Sequence, residues 1–304
     1  MMNKVLITGA SGFIGKKSAL FFLNEGYDVI GWDVSPSEGE FPIFEVDMTN
    51  KSVVTQTLIK HKPDIIIHCA GSSDVAMSVK YPDNDYVGNV TITHNLLFAL
   101  HELKMEKVRI VYLSSAGVYG NPVQLPITED MELNPVSPYA VHKVMCEELC
   151  KFMAQNYSMN VKVARIFSAF GKGLRKQIFW DMYNKSKEGK LSMLGNGSES
   201  RDYIHIDDVV KAIFLLATTE SEYLFFNVAN GEEISIRTVT EKFAQLVGIE
   251  QEMITFSGHG REGDPINWRA DISRLEGIGY KKSVEFSLGL KDYIEWCGKQ
   301  NEDS

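Results

Sequence analysis

The chain has 304 residues, 44% of them hydrophobic, which is enough to bury one large core or two unequal ones and excludes a disordered or fibrous protein. A formal net charge of −9 and the lack of a basic run exclude a protein that wraps nucleic acid. Residues 1–8 lack the length of a signal-peptide core and no later run is apolar enough to span a bilayer, so we expect a cytoplasmic protein with no membrane partner.

Strand-length apolar runs alternate with helical patterns through the first half of the chain. The runs lie at residues 5–8, 28–32, 44–47, 65–70, 109–114 and 161–167, and the helical patterns lie at residues 12–25, 51–61, 85–103 and 139–156. This alternation predicts an α/β fold built on a Rossmann-like, doubly wound parallel sheet.

The alternation breaks after Phe170. Glycines at positions 171, 173, 195 and 197 surround a predicted helix at residues 177–187, and shorter elements follow. We therefore expect a Rossmann domain at residues 1–168, with a returning segment at about 205–230, and a smaller C-terminal α/β lobe made of residues 169–204 and 231–304.

A glycine-rich stretch follows the first predicted strand, where residues 8–15 read TGASGFIG. Gly9 and Gly12 allow a tight turn whose backbone N–H groups approach a pyrophosphate, and Gly15 lets helix and strand pack closely. Asp33 ends the second strand 18 residues later, where a carboxylate accepts hydrogen bonds from the adenosine ribose and repels a 2′-phosphate. The stretch predicts a dinucleotide site that favours NAD over NADP; the alternatives are a simple turn and a strand-end aspartate.

Tyr139 and Lys143 lie four residues apart and therefore on one face of a predicted helix. Ser137 is a typical N-cap and Pro138 a typical first helical residue, which puts the pair in the first turns. A tyrosine hydroxyl has an ordinary pKa of about 10 and needs a nearby cation to act as a base at neutral pH. Lys143 is placed to supply that cation, and an exposed pair without a catalytic role is the alternative.

Small and hydroxyl-bearing residues follow the predicted strand at 109–114, where residues 114–120 read SSAGVYG. Ligands of open parallel sheets bind at the carboxyl ends of the strands. Ser115 is therefore placed to hydrogen-bond a reacting hydroxyl or ketone beside Tyr139, and a turn or cap serine is the alternative.

The four cysteines, Cys69, Cys146, Cys150 and Cys297, are too few and too dispersed for a disulfide framework. Cys146 and Cys150 lie one helical turn apart, but no His or Cys cluster accompanies them and this spacing suits neither zinc nor a disulfide. We expect all four to behave as small buried hydrophobic residues, and we predict no metal site.

These motifs resemble those of the extended short-chain dehydrogenase/reductase family of NAD-dependent sugar-nucleotide epimerases and dehydratases. The resemblance rests on TGASGFIG, Asp33, HCAG at residues 68–71, SSAGVYG, YAVHK at residues 139–143 and RDYIHIDD at residues 201–208. It continues through RIFSAFG at residues 165–171, FNVANG at residues 226–231 and REGDP at residues 261–265, and so covers nearly the whole chain.

The resemblance implies an enzyme whose Rossmann domain binds NAD and whose smaller lobe binds a nucleotide diphosphate sugar, with Ser115, Tyr139 and Lys143 as its catalytic residues. The residues implied to contact NAD are Gly9, Ser11, Gly12, Phe13, Ile14, Gly15, Asp33, Asp47, Met48, Cys69, Ala70, Gly71, Asn89, Tyr139, Lys143 and Ile166. Those implied to contact the substrate are Ser73, Ser115, Ala116, Ser168, Arg201 and Arg261. The two arginines suit bidentate binding of the diphosphate, and surface ion pairing with Asp202 or Asp264 is the alternative.

The implied reaction begins when Tyr139 takes a proton from a sugar hydroxyl and a hydride leaves the same carbon for the nicotinamide. Return of the hydride to the other face of the keto-sugar gives epimerisation at carbon 4. Ala116 and Gly117 stand where the dehydratases carry an Asp-Glu pair, which disfavours dehydration. We favour a 4-epimerase because Asp33 points to NAD, which epimerases retain; the alternative is a 4-ketoreductase of deoxysugar synthesis, which the short C-terminal part resembles in length. Ser168 stands where epimerases usually carry Asn, which disfavours a specific assignment to the galactose enzyme.

A non-catalytic regulator that senses dinucleotides through the same fold is also considered, since a fold does not dictate a function. Such sensors commonly lack the catalytic tyrosine. The presence of Ser115, Tyr139 and Lys143 together disfavours this reading.

The resemblance also implies a homodimer that pairs the helix ending near Leu103 and the helix carrying Tyr139 with their copies. The apolar residues of these helices are Val90, Ile92, Leu96, Leu97, Leu100 and Leu103 on the first, and Val141, Val144, Met145, Leu149, Phe152 and Met153 on the second. Packing of these residues onto the sheet is the alternative.

The acidic pair Asp207 and Asp208 follows His205 and suggests either a metal site or the start of a helix. We favour the helix start, and we expect one of the two aspartates to cap a helix that begins near Val209.

Overall fold

The computed structural model describes residues 3–259 and 266–302, and its strands and helices are numbered here along the chain. The strands are β1 (Lys4–Thr8), β2 (Asp28–Asp33), β3 (Ile43–Glu45), β4 (Ile65–His68), β5 (Arg109–Ser115), β6 (Val161–Ile166), β7 (Ser168–Phe170), β8 (Leu191–Met193), β9 (Ser200–Arg201), β10 (Tyr203–His205), β11 (Phe225–Val228), β12 (Ile234–Ser235) and β13 (Ile254–Phe256). The α-helices are α1 (Phe13–Asn24), α2 (Lys51–His61), α3 (Val75–Lys80), α4 (Pro82–Tyr86), α5 (Ile92–Glu102), α6 (Pro138–Tyr157), α7 (Gln177–Ser186), α8 (Ile206–Thr218), α9 (Ile236–Val247), α10 (Ser273–Gly277) and α11 (Phe286–Glu302).

Seven parallel strands form the central sheet in the order β11-β6-β5-β4-β1-β2-β3. The chain runs outward from β1 to β3 and then crosses back to β4, so the winding direction reverses between β1 and β4. Such a reversal opens a crevice at the carboxyl ends of the strands, where ligands bind in open α/β sheets. The predicted Rossmann-like sheet is confirmed, and β11 lies in the segment that was expected to return.

Helices cover both faces of the sheet because its strands are apolar on both sides. Along β1, Val5 and Ile7 join the core beneath α1 and α8, whereas Leu6 joins the core beneath α2, α5 and α6. The second lobe has a core of its own, formed largely by α7, α9 and α11, and Phe13 packs against both this core and that of α1. The start of α1, directly after the glycine-rich turn, is therefore in contact with the second lobe.

The helix predicted at residues 85–103 is interrupted. α4 is followed by a π-helical turn at Val87–Thr91 before α5 begins. Within this turn the Asn89 side chain donates to the carbonyl of Asp85 at 3.1 Å, and the Thr93 hydroxyl donates to the carbonyl of Asn89 at 2.7 Å. These side-chain bonds satisfy carbonyls where the turn widens, and hydrophobic periodicity carries no signal for such a local change.

The prediction that an aspartate caps α8 is wrong. The helix begins at Ile206, earlier than predicted, and the His205 ring, not an aspartate, accepts the backbone N–H of Asp207 at 3.3 Å. Asp208 is fully buried and accepts hydrogen bonds from the backbone N–H groups of Ser283 and Val284. Its carboxylate therefore fixes the entry to α11, a long-range contact that local sequence cannot reveal.

Half of the twelve apolar residues assigned to a dimer surface are buried inside the chain. Those buried within the protomer are Val90, Ile92, Leu96, Leu97, Leu100 and Met153, whereas Leu103, Val144 and Leu149 are half-buried. Packing onto the sheet accounts for them, and Val141, Met145 and Phe152 stay exposed on α6. Within residues 3–259 and 266–302, no helix is long and apolar enough to cross a membrane.

Candidate active site

A cavity of about 1790 Å³ lies along the carboxyl edge of the sheet and reaches the second lobe. Pockets for single small ligands usually measure about 300–1,000 Å³, so this cavity has room for two ligands. The predicted site residues that line it are Gly9, Ser11, Gly12, Phe13, Ile14, Gly15, Asp33, Asp47, Met48, Cys69, Ala70, Gly71, Ser73, Ser115, Tyr139, Lys143, Ile166, Ser168 and Arg201. The structure thus brings the predicted dinucleotide, catalytic and substrate residues into one space.

Three of the predicted residues are not seen in the cavity wall. Asn89 is buried behind Gly71, where its Oδ1 would lie 2.7 Å from a Cβ atom at that glycine. Ala116 is buried in the 3-10 turn Ala116–Tyr119, among residues that pack beneath the site. Arg261 lies outside the described residues.

The glycine-rich turn between β1 and α1 has no room for side chains. Gly9 has a φ of +67°, and a Cβ there would lie 2.8 Å from the backbone of Ala70. A Cβ on Gly15 would lie 2.1 Å from the carbonyl oxygen of Gly9. The start of α1 has no side-chain cap, which leaves its first N–H groups directed at the cavity. This cradle fits the pyrophosphate of a dinucleotide.

Two of the predicted carboxylates, Asp33 and Asp47, line the cavity. Asp33 accepts the backbone N–H groups of Ser11 at 2.9 Å and Ser35 at 3.0 Å, which hold it at the end of β2. Hydrogen bonds from the side chain and backbone of Thr49 lower the pKa of Asp47. These carboxylates suit ribose hydroxyls as hydrogen-bond acceptors, and the charge of Asp33 disfavours an added 2′-phosphate.

The first turns of α6 carry the proposed proton-transfer pair, and the predicted cap is confirmed. Ser137 accepts the N–H of Ala140 at 3.3 Å, and Pro138 begins the helix. The Lys143 ammonium donates to the carbonyl of Leu113 at 3.0 Å and lies 5.8 Å from the centre of the Tyr139 ring. The chain thus places a fixed cation beside the tyrosine and the end of β5.

Ser115 is the last residue of β5, one residue beyond the predicted end of the strand, and it lies at the carboxyl edge of the sheet as expected. Its Oγ accepts the N–H of Gly117 at 3.1 Å, so the hydroxyl hydrogen stays available for another acceptor. Both residues that follow Ser115 lack an ionisable side chain. This end of the cavity therefore offers a hydroxyl, a phenol and an ammonium, a set suited to moving a proton to and from a substrate oxygen.

His68, a buried residue at the end of β4, packs behind the residues that line the cavity. His68 contacts the hydroxyls of Thr8 at 2.7 Å and Thr93 at 3.1 Å, and the Thr8 hydroxyl also accepts the N–H of Ala70. Burial, assisted by the charge of Lys143, lowers the pKa of His68 to about 3, so the ring is neutral at physiological pH. A neutral ring can link the ends of β1 and β4 without adding charge beneath the dinucleotide.

Of the two arginines predicted to bind the substrate, only Arg201 lies among the described residues. Its guanidinium donates to the carbonyl of Ser200 at 2.7 Å and lies 5.6 Å from the centre of the Trp268 ring. The alternative partner, Asp202, is fully buried and accepts the N–H groups of Asn230 at 2.9 Å and Ala270 at 3.1 Å. Arg201 thus lines the cavity while the adjacent carboxyl serves the packing of the second lobe.

The loop that precedes α7 forms one wall of the site, and the sequence did not predict this. Residues 173–177 line the cavity, and the Lys176 ammonium donates to the hydroxyl of Ser73 at 2.6 Å, which joins the loop to the one after β4. Trp268 lines the same wall and donates to the carbonyl of Gly120 at 3.1 Å. Gly171 and Gly173 mark a loop in the sequence, but only tertiary packing brings that loop to the dinucleotide cradle.

The cysteines and the acidic pair do not form a metal centre. Cys146, Cys150 and Cys297 are buried free thiols, as predicted, whereas Cys69 lines the cavity and burial raises its pKa to about 12. In the part of the chain that the structure describes, no group of three or more His, Cys, Asp or Glu side chains is arranged to hold a metal ion.

Comparison with known proteins gives consistent matches. The model of a family described as NAD dependent epimerase/dehydratase matches residues 5–229. The chain is 30% identical to UDP-glucose 4-epimerase of Mycolicibacterium smegmatis, over 98% of this chain and 100% of that one. It is 26% identical to GDP-6-deoxy-D-mannose reductase of Pseudomonas aeruginosa, over 100% of both. The solved structure of MoeE5 in complex with UDP-glucose and NAD superposes with a TM-score of 0.88 at 26% identity, covering 98% of this chain and 100% of that one.

Proposed function

The chain belongs to the NAD-dependent epimerase/dehydratase family, and we propose that it inverts carbon 4 of a nucleotide diphosphate sugar through a transient 4-keto sugar. The observation that carries the proposal is the shared cavity. Ser115, Tyr139 and Lys143 line the same space as the glycine-rich cradle, so a sugar hydroxyl at the triad lies within reach of a bound dinucleotide.

In the proposed reaction Tyr139 is the base that takes the proton from the hydroxyl on carbon 4. The adjacent ammonium of Lys143 favours the phenolate, and Ser115 holds the substrate oxygen by a hydrogen bond. Bound NAD supplies the acceptor for the hydrogen on carbon 4. After the keto sugar turns in the cavity, Tyr139 returns the proton to the keto oxygen. The hydride returns from the reduced cofactor to the opposite face of carbon 4, so the net reaction has no redox change.

The proposed division of labour follows the two parts of the chain. We propose that residues 1–168, together with the returning segment at about 205–230, hold NAD, and that residues 169–204 and 231–304 hold the substrate. Arg201 is proposed to bind the substrate diphosphate, with Arg261 as a second cation, because a guanidinium suits bidentate phosphate binding. Ser73 and Ser168 line the cavity as hydroxyl donors for the sugar.

A 4-ketoreductase is the second candidate, favoured by the full-length similarity to GDP-6-deoxy-D-mannose reductase and by Ser168 in the strand-end motif. Both reactions use the same proton-transfer residues. They differ in whether the dinucleotide stays bound or is exchanged at each turnover. Dehydration is disfavoured because Ala116 and Gly117 supply no second acid or base beside Ser115.

The first test is to purify the protein without added cofactor, denature it, and identify the released dinucleotide by chromatography and mass. Stoichiometric NAD, together with interconversion of UDP-glucose and UDP-galactose or of another pair of 4-epimers, is the expected result. A cofactor-free protein that oxidises NADH or NADPH only with a 4-keto sugar nucleotide would overturn the epimerase and establish the reductase. A Tyr139→Phe variant with full activity would overturn both.

We further propose a homodimer and a cytoplasmic location. Val141, Met145 and Phe152 form an exposed apolar stripe on α6, and Tyr86 and Val87 lie beside it, each 37–44% exposed. A paired copy of the stripe would cover these side chains about a two-fold axis. The four free cysteines suit a reducing compartment.

Sedimentation velocity tests the dimer. The wild type should sediment as a dimer, and a double variant with Met145→Glu and Phe152→Glu should sediment as a monomer. Leu288→Glu, at an exposed apolar residue of α11, is the matched control and should leave the dimer intact. A wild type that sediments as a monomer at micromolar concentration would contradict the proposal.

A further inference from the structure

A buried ion pair lies beneath the strand ends that carry the active site. Glu147 on α6 and Arg165 on β6 are 1% and 3% exposed, and the guanidinium donates to the carboxylate at 2.7, 3.0 and 3.2 Å. Burial opposes the charge of Arg165, but the hydrogen bonds that it donates to its partners, chiefly Glu147, raise its pKa overall. The guanidinium is therefore held charged within the fold.

The carboxylate of Glu147 also holds the strand that ends in the catalytic serine. Ser114 donates its hydroxyl to Glu147 at 2.6 Å, and Lys143, one helical turn earlier on α6, donates to the carbonyl of Leu113 at 3.0 Å. α6 is therefore hydrogen-bonded to β5 at the two residues immediately before Ser115. Ser114 and Arg165 are also register partners across β5 and β6, so the ion pair closes a triangle between two strands and the helix.

The guanidinium of Arg165 continues the network to the other side of the catalytic serine. It donates to the hydroxyl of Tyr119 and to the carbonyl of Glu129, both at 2.8 Å. Tyr119 ends the 3-10 turn that follows Ser115, and its hydroxyl donates to Asn227 on β11 at 2.7 Å. The same pair thus fixes the chain before Ser115 and the turn after it.

We propose that Glu147 and Arg165 are positioning residues, which hold Ser115 and Lys143 in the arrangement needed for proton transfer. This inference rests on the proposed function. Stability alone is a weak reason for the pair, because well-packed apolar residues often replace a buried ion pair without loss of stability. An apolar pair would, however, offer neither an acceptor to Ser114 nor a donor to Tyr119, and small displacements of reacting groups lower the rate steeply.

Ser114→Ala is the decisive variant because it removes the link to the strand and leaves the ion pair in place. We expect kcat to fall about tenfold, with KM, bound NAD and the melting temperature close to those of the wild type. Glu147→Gln should lower kcat roughly 100-fold and also lower the melting temperature. The effects of Ser114→Ala and Glu147→Gln on kcat should not multiply independently in the double variant, since Ser114 acts through the side chain of Glu147.

Ser18→Ala is the matched control, since Ser18 is also fully buried and its hydroxyl has no hydrogen-bond partner among residues 3–259 and 266–302. It should leave kcat unchanged. A Ser114→Ala variant with the kcat of the wild type would overturn the positioning role, even if Glu147→Gln unfolds. The positioning role would also be overturned if the effects of the Ser114 and Glu147 variants on kcat multiplied independently in the double variant.

Failure of the proposed function gives a different pattern. A wild type that interconverts no pair of 4-epimers but reduces a 4-keto sugar nucleotide with NADH or NADPH would overturn the epimerase. Ser114→Ala and Ser18→Ala would then be compared in that reduction, where the same tenfold difference supports the positioning role and equal rates overturn it. An active epimerase with unchanged Ser114→Ala overturns the positioning role alone.

Discussion

Replacing His68 by glutamine should remove a steep loss of stability in mild acid. His68 is 2% exposed at the end of β4, between the hydroxyls of Thr8 and Thr93, with Lys143 as the nearby cation that opposes its protonation. Burial first, and Lys143 second, lower its pKa from 6.5 to about 3. Glutamine cannot take up the proton, so the variant has no such penalty.

The sign and size of the change in the free energy of unfolding with pH follow from the linkage between proton binding and folding. The pKa of the folded state lies below that of the unfolded chain, so the neutral ring contributes its full stability above pH 6.5 and loses it as the pH falls toward 3. Each pH unit within this interval costs about 1.4 kcal/mol, which amounts to roughly 2 kcal/mol by pH 5. The whole interval corresponds to an order of 5 kcal/mol, a large part of the stability of an ordinary domain.

Urea unfolding at pH 7.5, 6.5, 5.5 and 5 measures the effect as the difference in free energy of unfolding between wild type and His68→Gln. That difference should shrink by roughly 2 kcal/mol from the first pH to the last. Ile67→Val, on the same strand, is the matched control and should cost about 1 kcal/mol at every pH. A wild type and a His68→Gln variant whose curves stay parallel across these pH values would refute the assignment of a buried, neutral ring.

Three further predictions concern the site and its surroundings. Tyr139→Phe should lower kcat by roughly 10² to 10⁴-fold with bound NAD and melting temperature unchanged, measured by turnover, mass analysis and calorimetry; a small loss would show that another group moves the proton. Asp33→Asn should improve the affinity for NADP relative to NAD by about tenfold in titration calorimetry, because a carboxylate repels the 2′-phosphate; an unchanged ratio would contradict this placement. Burial raises the pKa of Asp202 from 3.8 to about 7, so the protonated carboxyl contributes stability that is complete below pH 3.8 and is lost as the pH rises through 7. Asp202→Asn should therefore remove a decline of roughly 4 kcal/mol between pH 4 and 7 in urea unfolding, and equal slopes for the two proteins would oppose it.

Local sequence was sufficient for the strands of the first 168 residues and for the start of α6, but not for the π-helical turn before α5 or for the cap of α8. Ser137 and Pro138 predicted the start of α6, and apolar runs predicted the six strands of the first domain, because caps and hydrophobic periodicity act over a few residues. The ion pair of Glu147 and Arg165 escaped prediction although the four-residue spacing from Lys143 put Glu147 on the catalytic face of the helix. Its partner lies on another strand, and nothing in the local pattern specifies which strands become neighbours.

Local sequence indicates the catalytic residues but does not decide between the two candidate reactions, because that choice depends on long-range contacts. The proton-transfer groups are supplied by short motifs, so sequence alone places them, yet an epimerase must also keep the keto sugar enclosed while it presents its second face. Enclosure depends on contacts between distant segments, such as the bond of Lys176 to Ser73 across the cavity, 103 residues apart in sequence. A cavity of about 1790 Å³ that is bridged in this way has room for a sugar beside a dinucleotide. Retention of both ligands through one turnover, and not the identity of the base, is therefore the property that distinguishes an epimerase from a reductase in this fold.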